Sequence, residues 1–360
     1  MVLTDAPGGG SSAAPDDGWE GLLQRYVAAL ARQDRSTCTQ VVEQVLDAGH
    51  GTGVLVDRLL APAQARVGEL WLTGEWSVAQ EHAATAISEE LLSVAAQRAA
   101  RARRAPLPGE PQPERLLVCC VEHEWHAFPT RLLAEHLRDA GYDVSYLGAN
   151  IPVSALGRHV RELHPRAVLL SCSLASHLSL VRRAVEAVRE TGTPVLVGGP
   201  AFTTGERRAA ALGATASAAT AADVPRVLQT LPTAVTPAEP LTHEGAAEGF
   251  VLYAERESVR AAVQDALVAQ GLLTLDTSRG LPQADEGWRI VLGDQVDHLV
   301  GCVSGAVTTS DPTVLTDAIT WLDEVLAARS APAEARPALV AALAHAVREH
   351  PQAARLLASV

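Results

Sequence analysis

The chain has 360 residues, 48% hydrophobic and 20% charged, a length and balance that imply a folded protein of two or three domains and exclude a disordered one. Its net charge is −13 at pH 7 and its basic residues are all arginine, so the surface repels phosphate backbones and direct nucleic-acid binding is not expected. The five cysteines (38, 119, 120, 172 and 302) follow neither a zinc nor a disulfide spacing, the start has no signal-peptide pattern, and apolar runs such as AVLLSCSLA are too short to cross a bilayer. The expected location is therefore the cytoplasm, away from any membrane.

In chain order, residues 1–18 read as a flexible leader. Residues 19–104 carry apolar positions at helical spacing throughout, in four stretches joined by short turns, which predicts an antiparallel four-helix bundle with a bend at Pro62. Its last helix ends in QRAARARRAP, an arginine cluster that suits a helix C-terminus entering a linker. The Pro-rich stretch 105–113 is that linker. Between 114 and 231 short apolar runs (RLLVCCV, DVSYLGAN, RAVLLSCS, PVLVGG, ATASA) alternate with amphipathic helices, the pattern of a doubly wound parallel α/β sheet, Rossmann-like and flavodoxin-like. A second linker is expected at 232–249, and then a mostly helical region over 250–360 in which VLYA and LLTLDT are the candidate strands. The predicted fold is thus α/β plus all-α.

Chemistry in a doubly wound sheet belongs at the C-terminal ends of the strands. There, VEHEWHAFP places Glu122, His123, Glu124 and His126 directly after the first strand. Three readings compete: polar loop residues without a role, a metal site on His123 and His126 that lacks an evident third ligand, and one that takes in more of the chain. Glu124-Trp125-His126 followed by Pro129, SCS at 171–173 and VGG at 197–199 together resemble the cobalamin-binding domain, whose pattern is Asp/Glu-x-His-x-x-Gly, then Ser-x-Leu or Ser-x-Thr, then Gly-Gly. The resemblance implies that His126 ligates cobalt from below in place of the dimethylbenzimidazole tail. Glu124 would hold the proton of its other ring nitrogen, Ser171 and Ser173 would line the channel for the nucleotide tail, and Gly198 and Gly199 would let the backbone approach it. Pro129, where the family has glycine, and Ser173, where it has Leu or Thr, are departures that put the path of the tail in question.

In the helical segment, Trp71 stands nine residues ahead of Glu81-His82. Alone this reads as a core tryptophan with a surface pair; beside the cobalamin motifs it resembles the Trp-x9-Glu-His signature of CarH-type adenosylcobalamin photoreceptors. That resemblance implies an upper cap: Trp71 packed on the adenosyl group, Glu81 accepting hydrogen bonds from it, and His82 replacing it on cobalt after light breaks the cobalt–carbon bond. The expected function is a non-enzymatic light sensor, a homo-oligomer whose assembly changes with light and which signals to a protein partner. CarH-type regulators have an N-terminal DNA-binding domain, which is not seen here; instead, DQVDHLVGCVSGAVTTSDPTVLTDAITWLDEVLAAR, residues 294–329, resembles the extension of the photocobilins, which add biliverdin. In that reading Arg289, His298 and Trp321 grip the bilin; in the other, these helices serve dimerisation or partner binding. The alternative function is a corrinoid methyl carrier for methyltransferases, against which the bulk of Trp71 and the competing ligand His82 argue. A mutase would need a barrel domain, and a redox or metal-binding role ranks last.

Overall fold

The computed structural model describes residues 18–103, 109–202, 206–273 and 287–360; nearly all of the leader, the first part of the first linker and most of LLTLDT lie outside them. Two compact units result, Met1–Trp71 with Trp76–Pro111, and Leu72–Glu75 with Gln112–Val360.

The first unit is helical: α1 (Gly18–Ala31), α2 (Arg35–Asp47), α3 (Thr52–Leu55), α4 (Ala61–Leu72) and α5 (Val78–Ala102). Sequence signals explain its boundaries. Asp34 caps α2 by accepting from the Thr37 amide, and Ser77 with Gln80 forms a capping box on α5. The bend expected at Pro62 is instead a π turn, Val56–Leu60, joining α3 to α4. Proline has no N–H to bond the carbonyl one turn back and its ring crowds that carbonyl. The chain widens there, and the Ala61 amide reaches five residues back to the Val56 oxygen. Leu22, Tyr26, Leu30, Val41, Val45, Leu59, Val67 and Leu92 fill the core, and the buried Tyr26 hydroxyl pairs with Ser88 Oγ at 3.0 Å.

In the second unit a five-stranded parallel sheet has the order β2-β1-β3-β4-β5, from β1 (Arg115–Cys120), β2 (Asp143–Gly148), β3 (Ala167–Ser171), β4 (Val195–Gly198) and β5 (Ala216–Ala218). The α/β expectation holds strand for strand. Register aligns Cys120 with Ser171, Ser171 with Gly198 and Gly198 with Ala218, so four strands end in one row. The order reverses between β1 and β3, which opens a crevice at their C-terminal ends. Helices α6 (Ala127–Asp139) and α10 (Val224–Thr230) cover one face of the sheet; α7 (Val153–Leu163) and α8 (Leu178–Arg189) cover the other, and α9 (Glu206–Ala211) precedes β5.

Beyond residue 244 every described element is helical: α11 (Gly245–Ala269), α12 (Gly287–Thr309), α13 (Thr313–Ala328), α14 (Ala335–Ala346) and α15 (Pro351–Leu357). VLYA therefore lies inside α11 and is not a strand; its flanks carry helical periodicity that outweighs four β-prone residues. These helices share one core with a sheet face: Leu117, Val168 and Val197 belong to the same apolar cluster as Val181, Leu292, Val303 and Leu322. The buried pair Arg208–Asp311 (2.8 Å) ties α9 to the start of α13, and Ser179 joins Ser304 and Thr308 at 2.7 and 3.0 Å. Helix α12 also corrects the sequence reading on one point: by length and composition it could span a bilayer, although 67% of that window is buried inside the protein, as befits a core helix.

Candidate functional site

The loop after β1 folds tightly. The Glu124 amide returns to the Val121 carbonyl at 3.1 Å, and His123 adopts φ +64°, its amide donating to Asn150 Oδ1 at 2.8 Å. Asn150, on the loop after β2, donates its own amide to the Glu124 carbonyl at 3.0 Å. Adjacent strand ends thus fix the loop from the β2 side.

Glu124 is fully buried. Its Oε1 accepts from His126 Nδ1 at 2.6 Å and from the His126 amide at 3.0 Å; its Oε2 accepts from the amides of Ser173 and Leu174 at 2.7 and 3.1 Å. Burial alone would push this carboxyl up, but the His126 ring and amide, with His177 Nδ1 at 3.6 Å, outweigh it and hold it well below the usual carboxylate range. An ionised carboxylate only accepts, so Nδ1 of His126 carries the proton. Nε2 is the ring nitrogen directed away from the carboxylate, on a side chain 55% exposed at the start of α6. Glu124 thus orients the His126 ring and keeps its proton on Nδ1.

A cavity of about 160 Å³ opens beside this loop, lined by Pro129, Thr130, Ser171, Gly198, Gly199 and Ala218 among others, and Gly199 and Ala218 also line a larger one of about 590 Å³ running to Phe202 and Arg226. Ser171 sits in the wall of the smaller cavity. Ser173 is not among the lining residues; its backbone serves Glu124 instead. Gly199 also has a packing role of its own. Its φ is +103°, and a Cβ there would stand 2.5 Å from the Cys172 carbonyl oxygen, so glycine is needed for packing between strand ends. At Gly198 a Cβ would stand 3.1 Å from the Ala218 oxygen. Pro129 lies in the first turn of α6, where a missing N–H costs nothing.

The first unit holds a second Glu–His pair. Glu81, in the first turn of α5, accepts from Thr85 Oγ1 at 2.9 Å on one oxygen, and its other oxygen stands at an ion-pair distance of 2.6 Å from His82 Nδ1; Gln64 on α4 supports Thr85 at 2.9 Å. The His82 side chain is 74% exposed. The two tryptophans of this segment separate: Trp76 is buried, whereas Trp71 is only partly so.

Among the bilin candidates, His298 and Trp321 meet with ring centroids 6.1 Å apart. Arg289 lies roughly 13 Å from His298 along α12, from nine residues of helical rise, and its guanidinium covers the Trp288 ring and donates to the Gly271 carbonyl. The metal reading on His123 and His126 does not form: among the described residues, the ligating atoms that converge within 4.8 Å are those of Glu124, Cys172 and His177. Burial holds the Cys172 thiol far above its usual range, which disfavours the thiolate a metal would need. Sequence reasoning missed His177 and Asn150, since a histidine opening a helix and an asparagine ending a strand are common in any fold.

Family models and relatives match both units of the chain. The model for a B12 binding domain matches residues 114–228, and a second B12 binding domain model matches residues 22–95. The HTH-type transcriptional repressor CarH of Myxococcus xanthus is 30% identical over 181 residues, 49% of this chain and 57% of that protein, so the match spans little more than half the relative's length. The expectation of no direct nucleic-acid binding finds no support in such a relative. Among solved structures, the monomethylamine corrinoid protein of Methanosarcina barkeri aligns at 17% identity and TM-score 0.46, covering 59% of this chain and 99% of its own. A cobalamin-binding protein of Desulfitobacterium hafniense aligns at 22% and 0.31, covering 57% and 97%.

Proposed function

We propose that this chain, a CarH-like cobalamin-binding protein, is a light sensor that uses adenosylcobalamin and catalyses no turnover. When bound, that cofactor supplies a cobalt–carbon bond that visible light breaks. His126 would hold the metal through Nε2, with its tautomer fixed by Glu124. The strand-end cavity beside Ser171, Gly198 and Gly199 suits the nucleotide tail. Trp71 and Glu81 would grip the adenosyl group, and His82, beside Glu81, would offer the cobalt a second imidazole.

One observation carries the reading: after β1 the buried Glu124 carboxylate accepts from His126 Nδ1 at 2.6 Å, and a second Glu–His pair, Glu81 and His82, stands at the start of α5 with an ion-pair distance of 2.6 Å. Such pairing orients an imidazole and raises its basicity as a ligand. Exchange of the upper partner would then bias the helical unit between two arrangements and so alter the assembly of a cytoplasmic homo-oligomer.

The test is reconstitution in the dark followed by illumination, with absorbance and oligomeric size recorded together. A photoproduct that stays bound through desalting, and that His82→Ala abolishes, supports the sensor. Tight methylcobalamin binding without a light response favours a methyl carrier. Because the relative's name is that of a repressor, dark and lit samples are also assayed for retention of DNA. Biliverdin as a second chromophore is supported by the His298–Trp321 ring pair; addition of the pigment without a shifted red band refutes it and leaves α12 and α13 to partner binding.

A further inference from the structure

Gly301 and Gly305 are one turn apart on α12 and share a face of that helix. A Cβ at Gly301 would stand 2.5 Å from Ser176 Cβ and 2.7 Å from its carbonyl oxygen; one at Gly305 would stand 2.9 Å from the Ala175 oxygen. The backbone of α12 therefore rests directly on the 3-10 turn Ala175–His177 that follows β3. Two residues before that turn, the Ser173 and Leu174 amides hold Glu124 Oε2, and at its end His177 reaches within 3.6 Å of the same oxygen. The other oxygen of Glu124 holds His126. Beyond the contact, Ser304 fixes the seam by pairing with Ser179 at 2.7 Å and donating to the Gly249 carbonyl at 2.9 Å.

From this we infer that α12 positions the lower cobalt ligand: Gly301 and Gly305 set the height of the turn, the turn sets Glu124, and Glu124 sets His126. The inference rests on His126 as the ligand proposed above. It gives the C-terminal helices a part in the B12 site through the packing of α12 on that turn. A methyl group at either glycine pushes the turn away from α12 and displaces two amides and one imidazole that converge on one carboxylate oxygen.

The test uses the full chain loaded with cob(II)alamin in wild type, Gly301→Ala, Gly305→Ala and the control Gly293→Ala, where the nearest atom to a new Cβ is 3.7 Å away on the Leu273 side chain. Electron paramagnetic resonance reads the ligand directly, since one axial nitrogen splits each cobalt line into three. Wild type and Gly293→Ala are expected to show the triplets. In Gly301→Ala and Gly305→Ala, with circular dichroism and melting temperature confirming the fold, His126-ligated cobalt should fall about 10-fold, as when the partner of a metal-bound histidine is disturbed. If only Gly305→Ala folds, its spectrum decides alone. Intact triplets in a folded glycine variant overturn the inference. A wild type without triplets instead removes His126 as the ligand, so the two failures are told apart.

Discussion

Glu124→Gln changes shape least and chemistry most. Each carboxylate oxygen accepts two N–H donors, from His126 on one side and from Ser173 and Leu174 on the other. A carboxamide has one oxygen, so its NH2 must face one of these pairs. If it faces Ser173 and Leu174, two buried backbone donors that cannot rotate away are orphaned, at about 1–3 kcal/mol each. If it faces His126, the imidazole can accept at Nδ1 only by moving its proton to Nε2, which blocks the ligating nitrogen and still strands the His126 amide. The first arrangement costs stability and the second costs ligation. Urea unfolding at pH 7 should therefore lose about 2–6 kcal/mol, or corrinoid affinity should fall about 10–100-fold with stability largely kept. Stability within about 0.5 kcal/mol of wild type, together with unchanged corrinoid affinity and spectrum, would refute the reasoning.

Other outcomes follow from single contacts. His298 has its pKa pushed down to about 4, by burial first and then by the charges of His177 and His126, with Glu124 opposing. Its folded pKa lies below the unfolded value near 6.5, so the unfolded chain takes the proton first and this stabilisation is complete above that value and lost as pH falls toward 4. His298→Gln should remove about 2–3 kcal/mol of the acid sensitivity between pH 6.5 and 4, read as a smaller shift in urea midpoint than wild type shows. Gly199→Ala meets both a positive φ and the Cys172 carbonyl and should cost more than about 2 kcal/mol by thermal melting. Gly68→Ala, with nothing within 4 Å in helix α4, should instead raise stability by about 0.5–1 kcal/mol. Asp311→Ala leaves the Arg208 guanidinium buried without its main partner and should cost about 3–5 kcal/mol; Arg208→Met in the same chain should restore much of it.

The sheet was legible because five short apolar runs alternate with amphipathic helices, and each run is a strand in the order expected. His126 and Glu124 were legible because the motif names both residue types at fixed spacing, and their contact is local. What the sequence hid is what depends on distant partners. Nothing near Gly199 announces that Cys172 lies against it, and His177 gains its meaning only when the loops after β1 and β3 meet over Glu124. Pro62 signalled a disturbance but not its form, because a kink and a π turn answer the same missing N–H. VLYA read as a possible strand since four residues are too few to show a helical period on their own.

The continuous core between sheet and C-terminal helices bears on anyone who would trim or transplant this protein. A cut after residue 231, where a linker invites it, would lay bare the outer side of α8 with Ser179 and Arg182 among its exposed groups, and would release the turn beneath α12. Such a fragment is expected to precipitate or to need a replacement covering. The portable piece is the sheet together with everything that follows it.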